Sequence, residues 1–172
     1  MKKTFLMIVV AILFISCKKE NATKDLPISL KFKANGIQYS FSGSANNFNN
    51  IGAGIITDFS GMLGNVVIPG DFCLTAYDGG SGNNANSIII GFSPAQGLGT
   101  QISTGTYSKS NINADCQLAG KTYGYGGSCN VIIRSNANGN YSGSFTATLK
   151  ELSNSNTLVL TDGTFENLPF IP

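Results

Sequence analysis

On either side of Asn35-Gly36, between Ile28 and Ser42, apolar and polar residues alternate one for one. Asn-Gly is the favoured two-residue hairpin turn, because both positions need positive φ and both residues tolerate it. Folding the chain there sets Ala34 opposite Ile37, Phe32 opposite Tyr39 and Leu30 opposite Phe41, with all six on one face. Turn and side-chain period demand this register independently, and a slip of one residue would turn every apolar side chain to water. A chain whose ordered part opens in this way is committed to antiparallel sheet.

The rest of the chain repeats the pattern. Strands are expected at Ile51–Thr57, Met62–Ile68, Phe72–Tyr77, Ser87–Phe92 and Thr104–Ser108, separated by stretches such as "YDGGSGNNANS" that are rich in turn formers. "SCNVIIRSNANGNYSGSFTATLKE" reads as a second hairpin. Its apolar face carries Cys129, Val131, Ile133, Tyr141, Phe145, Ala147 and Leu149, and its polar face Asn130, Arg134, Ser142, Ser144, Thr146 and Thr148. A final pair is expected at Thr157–Thr161 and Gly163–Leu168. Phe165, Leu168 and Phe170 are too apolar for a free tail, so this segment docks in the core. No long helical period occurs. Short strands with frequent turns predict an all-β domain over residues 26–172: a single antiparallel β-sandwich, with a closed or partly open antiparallel β-barrel as the alternative.

Ahead of this domain the chain has a different character. Lys2 and Lys3 precede an apolar run of eleven residues, Phe5 to Ile15. A membrane-spanning helix needs roughly twenty apolar residues, so the run is too short to span and suits a signal peptide. Ile15-Ser16-Cys17 resembles the bacterial lipobox. Residues 1–16 are then the lipoprotein signal peptide, Cys17 is the lipidated residue, and 17–25 are the lipidated cysteine and its polar tether. One acyl chain anchors only marginally, whereas each further buried methylene adds about 0.8 kcal/mol, so two or three chains hold a protein firmly.

Removing residues 1–16 takes away two lysines and no acid. The eleven basic and nine acidic side chains of the full chain then become evenly matched. Lys18, Lys19 and Lys24 crowd the tether, and the remaining cations are scattered rather than drawn into a stripe, which argues against nucleic acid as a partner. Histidine is absent from the sequence. That excludes a Ser-His-Asp or Cys-His arrangement within the chain, and any metal site with histidine ligands. The acids are few. Asp71 with Asp78, and Asp162 with Glu166, are the closest pairs that could do acid/base work on a sugar, but isolated acids of this kind ordinarily sit at turns and strand ends. No catalytic residue, metal or cofactor is expected.

Beyond Cys17 three cysteines remain. Cys116 and Cys129 bracket the glycine-rich "QLAGKTYGYGGS". A Cys116–Cys129 disulfide would close a loop of about fourteen residues and contribute about 3 kcal/mol on the chain-entropy account. It is the expected pairing, with Cys73 a small buried hydrophobe; Cys73 with either partner stays open. Within the bracketed loop, Tyr123 and Tyr125 would point to the same side of an extended segment and could stack on a sugar ring, making them the candidate ligand-binding residues.

Five segments in order carry a family resemblance: the lipobox, "FKANGIQYSFSG", "STGTYS", "GNYSGSFTATL" and "LTDGTFENLPF". Together they resemble a family of small Bacteroidota lipoproteins with one β-rich domain. The resemblance implies an envelope location and a β fold. It carries over no catalytic or binding residue, since none is established for that family, and Asn-rich insertions such as Asn46 to Asn50 fall outside its pattern. The expected protein is therefore non-enzymatic and lipid-anchored in the bacterial outer membrane, with a binding or structural role and a glycan or another envelope protein as its partner. The alternative is a carbohydrate-binding accessory module at the cell surface.

Overall fold

The computed structural model describes residues 27–43, 52–57, 72–78, 85–92, 102–110, 112, 114–154 and 156–171. The expected signal peptide, Cys17, the tether and the strand expected at Met62–Ile68 lie outside these residues. The described chain forms ten strands and no helix: β1 (Ile28–Ala34), β2 (Ile37–Gly43), β3 (Gly52–Thr57), β4 (Phe72–Tyr77), β5 (Ser87–Phe92), β6 (Gly105–Ser110), β7 (Ala114–Leu118), β8 (Lys121–Ala137), β9 (Asn140–Glu151) and β10 (Thr157–Ile171).

The β1–β2 hairpin has the register that its sequence demands, with Ala34 opposite Ile37, Phe32 opposite Tyr39 and Leu30 opposite Phe41. Asn35 and Gly36 take φ of 46° and 85°, the left-handed pair of a type I′ turn. Burial does not follow the pattern to the end. Leu30 and Phe32 are fully buried, while Ile37, on the edge strand beside the turn, is 63% exposed. The β8–β9 hairpin turns in the same way at Asn138-Gly139, with φ of 55° and 78°. Its expected apolar face is buried throughout, from Cys129, Val131 and Ile133 to Tyr141, Phe145, Ala147 and Leu149.

Three long strands organise the rest. β9 lies between β8 and β10 along nearly its whole length. The outer edge of β8 pairs first with β7 and then with β6. The outer edge of β10 pairs with β1 and, at its end, in parallel with β3 through Phe170 opposite Ile55 and Ile171 opposite Ile56. β3, β4, β5 and β7 are successive antiparallel neighbours. The ladder therefore runs β10–β3–β4–β5–β7–β8–β9 and returns to β10, giving a nearly closed, barrel-like sheet. Long strands that leave one sheet for another at a bulge are the usual way such corners are made. The all-β antiparallel expectation holds. The two expected sandwich layers are joined through β8 and β10.

Both long strands carry bulges, and one of them corrects the sequence reading. The two strands expected at Thr157–Thr161 and Gly163–Leu168 are one continuous strand. Asp162 (φ 53°) and Asn167 (φ 55°) mark two register shifts within a single strand, β10, whose flanks pair with β9 on the same side. A left-handed residue serves a turn or a bulge; here both flanks keep pairing with β9, so it inserts a bulge. The Asp162 carboxylate is held by Lys33 Nζ at 2.8 Å. At the second bulge Asn167 donates its backbone N–H to Ser142 Oγ (3.0 Å) and its side-chain amide to the Pro27 carbonyl (3.1 Å). The docking of this segment is as expected: Phe165 and Leu168 are fully buried.

The core fills the enclosed space. Phe32 stacks on Tyr39 and Phe41 and meets Phe145 edge-on at 5.9 Å, while Phe72 contacts Phe92 and Phe170. β4 and β5 are buried on both faces, including Cys73, Thr75 and Ile89 on the side away from this cluster. Near-continuous apolar runs such as "SIIIGF" fit that double burial.

The expected Cys116–Cys129 disulfide is absent. The bracketed segment is no loop but the tight β7–β8 hairpin, turning at Ala119-Gly120 with φ of 50° and 77°. Register gives each cysteine other neighbours. Cys116 stands opposite Tyr123 and Ile88, and Cys129 opposite Lys109 and Ala147, with its Sγ 3.8 Å from the Gly91 carbonyl. A disulfide needs Cα atoms within about 7 Å, the reach of directly facing residues. Cys73, Cys116 and Cys129 are all buried.

Candidate functional site

Two of the acids singled out in the sequence, Asp78 and Asp162, serve the scaffold. Asp78 closes the base of the β4–β5 connection: its Oδ1 accepts the Asn86 backbone N–H (2.9 Å), and its Oδ2 accepts the Asn86 side-chain amide (2.6 Å). Asn86 in turn accepts the Ala119 N–H at 3.1 Å, tying this turn to the β7–β8 turn. Asp71 lies outside the described residues. Asp162 is paired with Lys33, whose ammonium that hydrogen bond and charge hold above its usual range. Glu166 is exposed on β10 opposite Ser29. No cluster of three potential metal ligands occurs among the described residues.

The tyrosine platform needs correction. Tyr123 lies in β8, 7% exposed, within the core cluster and directly opposite Glu151. Its alternation with Thr122 turns the phenol inward, because β8 is a strand and not a loop at that point. Burial, then the Glu151 charge, push the Tyr123 phenol up. The Tyr125 side chain lies outside the described residues. A pair of exposed, co-facial rings is not formed, since one ring is in the core.

Two polar centres were not foreseen. Glu151, only 8% exposed, ends β9; its Oε1 accepts Ser153 Oγ–H at 3.0 Å and its Oε2 accepts the Asn156 amide at 3.4 Å, with Lys121 Nζ 3.7 Å away. The Ser153 hydrogen bond is the main cause holding this carboxyl below its usual range, with Lys121 adding to it against the opposing effect of burial. At the opposite end of β9, the Tyr141 hydroxyl accepts the Ile102 backbone N–H (3.2 Å) and the Asn136 amide (3.3 Å). It ties the segment leading into β6 to the β8–β9 hairpin, and burial pushes its phenol up. Both centres are fully engaged in holding turns.

Open space occurs in a groove of about 630 Å³ across the outer face of β6, β8, β9 and β10. Register lays its walls in rows. Ser108, Asn130 and Thr146 face one another across three strands, and Ser110, Ser128, Thr148 and Val159 across four. Ser108 Oγ donates to Asn130 Oδ1 at 2.8 Å. Of the described residues lining it, Lys109 alone is charged. The Gly126-Gly127 bulge of β8 adjoins Ser128. Both glycines have left-handed φ (94° and 91°), and a Cβ on Gly127 would fall on the Thr148 carbonyl oxygen. The polar face of the β8–β9 hairpin was legible in the alternation. The addition of β6 beside it was not, because β7 intervenes in sequence between β6 and β8.

Compared with family models, with curated proteins and with solved structures, the chain matches none of them.

Proposed function

We propose that this is a non-enzymatic protein anchored to the bacterial outer membrane through Cys17, with a barrel-like domain that binds or supports a component of the envelope. The anchor reading rests on the eleven-residue apolar run ending in Ile15-Ser16-Cys17. The observation that carries the non-enzymatic reading is the engagement of Asp78, Glu151 and Asp162 in turns and ion pairs, in a chain without histidine. A second reading is a carbohydrate-binding accessory module. It is supported by the uncharged, hydroxyl-rich character of the groove, which suits a polyol better than an ionic partner. The balanced mature charge speaks against nucleic acid.

Mass spectrometry of the membrane fraction tests the anchor. The expected result is a mature chain beginning at an acylated Cys17, and an uncut precursor for Cys17→Ser. A mature terminus elsewhere with no acyl mass overturns it.

A further inference from the structure

We infer that the groove across β6, β8, β9 and β10 binds a neutral saccharide chain, an inference that rests on the carbohydrate reading above and moves its site away from Tyr123. Several observations converge on this. The volume, about 630 Å³, lies within the range of about 300–1,000 Å³ usual for small-ligand sites. The polar lining consists of hydroxyls from Ser108, Ser110, Ser128, Thr146, Thr148 and Thr161 with the Asn130 amide. Hydroxyls both donate and accept, so they can match sugar hydroxyls of either orientation. No carboxylate is among the described residues lining the groove, which gives a cation no anionic partner among them, and a single lysine is a poor receptor for a polyanion.

The apolar element is Val159, 43% exposed in the same row as Ser110, Ser128 and Thr148. It offers a patch for the C–H face of a ring. The rows also have a fitting period. Adjacent strands are roughly 4.8 Å apart, close to the repeat of pyranose rings linked end to end, so a chain laid across the strands presents about one ring to each. Finally, the floor is rigid. The backbones of Cys129, Ala147 and Leu160 form it, and their side chains are buried in the core beneath. A preformed floor lowers the ordering cost of binding.

The test uses the mature protein and a panel of neutral polysaccharides (a β-glucan, an α-glucan, a mannan and a xylan) with heparin as the anionic control, read by titration calorimetry. Two variants are compared with the parent. The triple change Ser128→Ala, Thr146→Val, Thr148→Val removes three hydroxyls while keeping strand-compatible shapes. Ser110→Arg, on an exposed edge strand where the fold tolerates it best, overhangs the groove. Both are checked for native melting before use, and either one retaining its fold suffices. Binding to a neutral glycan, weakened roughly tenfold or more in the folded variants, is the expected result. Equal binding by parent and variants overturns the site and leaves the carbohydrate reading standing. No binding by the parent to any glycan overturns both, and binding to heparin alone overturns the neutral class.

Discussion

The ring of Phe145 lies over Gly163, its directly paired neighbour across β9 and β10; two residues away, Phe165 covers Gly143 in the reciprocal sense. A Cβ on Gly163 would stand 2.7 Å from Phe145 Cδ1, and one on Gly143 would stand 2.6 Å from Phe165 Cζ. Each glycine opens the space that the opposite ring fills, beside the bulge at Asp162. Gly163→Ala must therefore displace a buried ring or the backbone, and overpacking of this kind costs about 1–3 kcal/mol. Urea denaturation should show the loss. Gly36→Ala, where nothing lies within 4 Å of the added Cβ, should lose only the turn preference of its positive φ.

Tyr141→Phe should destabilise the domain by about 1–3 kcal/mol, because the buried N–H of Ile102 loses its acceptor and the Asn136 amide loses one of two, keeping the Ile102 carbonyl at 3.5 Å. Tyr107→Phe is the control. Its hydroxyl donates to the Ser103 carbonyl at 2.7 Å in an exposed setting, where water can replace it. A smaller loss for Tyr107→Phe than for Tyr141→Phe, measured by chemical denaturation, checks the assignment.

Acid should weaken the fold partly through Glu151. Its carboxyl is held below the ordinary value of 4.5, so the unfolded chain takes up this proton before the folded one does. The stabilisation is full above the unfolded pKa and is lost as pH falls through the lowered folded pKa. Melting temperature should decline over that interval, and Glu151→Gln should flatten the decline while lowering stability near neutral pH. An unchanged slope in the variant would remove Glu151 as its source.

Truncation after Thr161 should prevent folding. It removes the part of β10 that carries Phe165 and Leu168, both fully buried, and the pairing of β10 with β3 seen among the described residues. Burial of such side chains contributes roughly 1.5–3 kcal/mol each, against a whole-domain stability of about 5–15 kcal/mol. Circular dichroism and gel filtration of the truncated chain decide this; a native melting curve would contradict it.

Peptide mapping without reduction should find no link between the peptides holding Cys116 and Cys129. Both side chains are buried, so alkylation should be slow in the native protein and rapid after denaturation. A linked pair would show that the β7–β8 register differs from the one described.

The sequence by itself determined the local elements. Asn35-Gly36 and Asn138-Gly139 are turn signals with a stereochemical cause, and the alternation around each leaves one register that buries the apolar face. β4 and β5 likewise occupy the limits that their apolar runs predict. The β7–β8 hairpin was hidden because its turn is Ala119-Gly120. Alanine carries no preference for positive φ, so nothing local announces the reversal, and the cysteines flanking it looked like the ends of a loop. Asp162-Gly163 misled in the other direction. The same left-handed residue serves a reversal or a bulge, and the choice was made by β9, which pairs with both flanks of β10. The groove depends on several ladders at once. Ser108, Asn130, Thr146 and Thr161 come from four strands, and the β6–β8, β8–β9 and β9–β10 ladders together bring their hydroxyls and amide to one face. Side-chain period says which residues share a face of one strand; which strands lie side by side is settled by the burial that the whole sheet achieves at once.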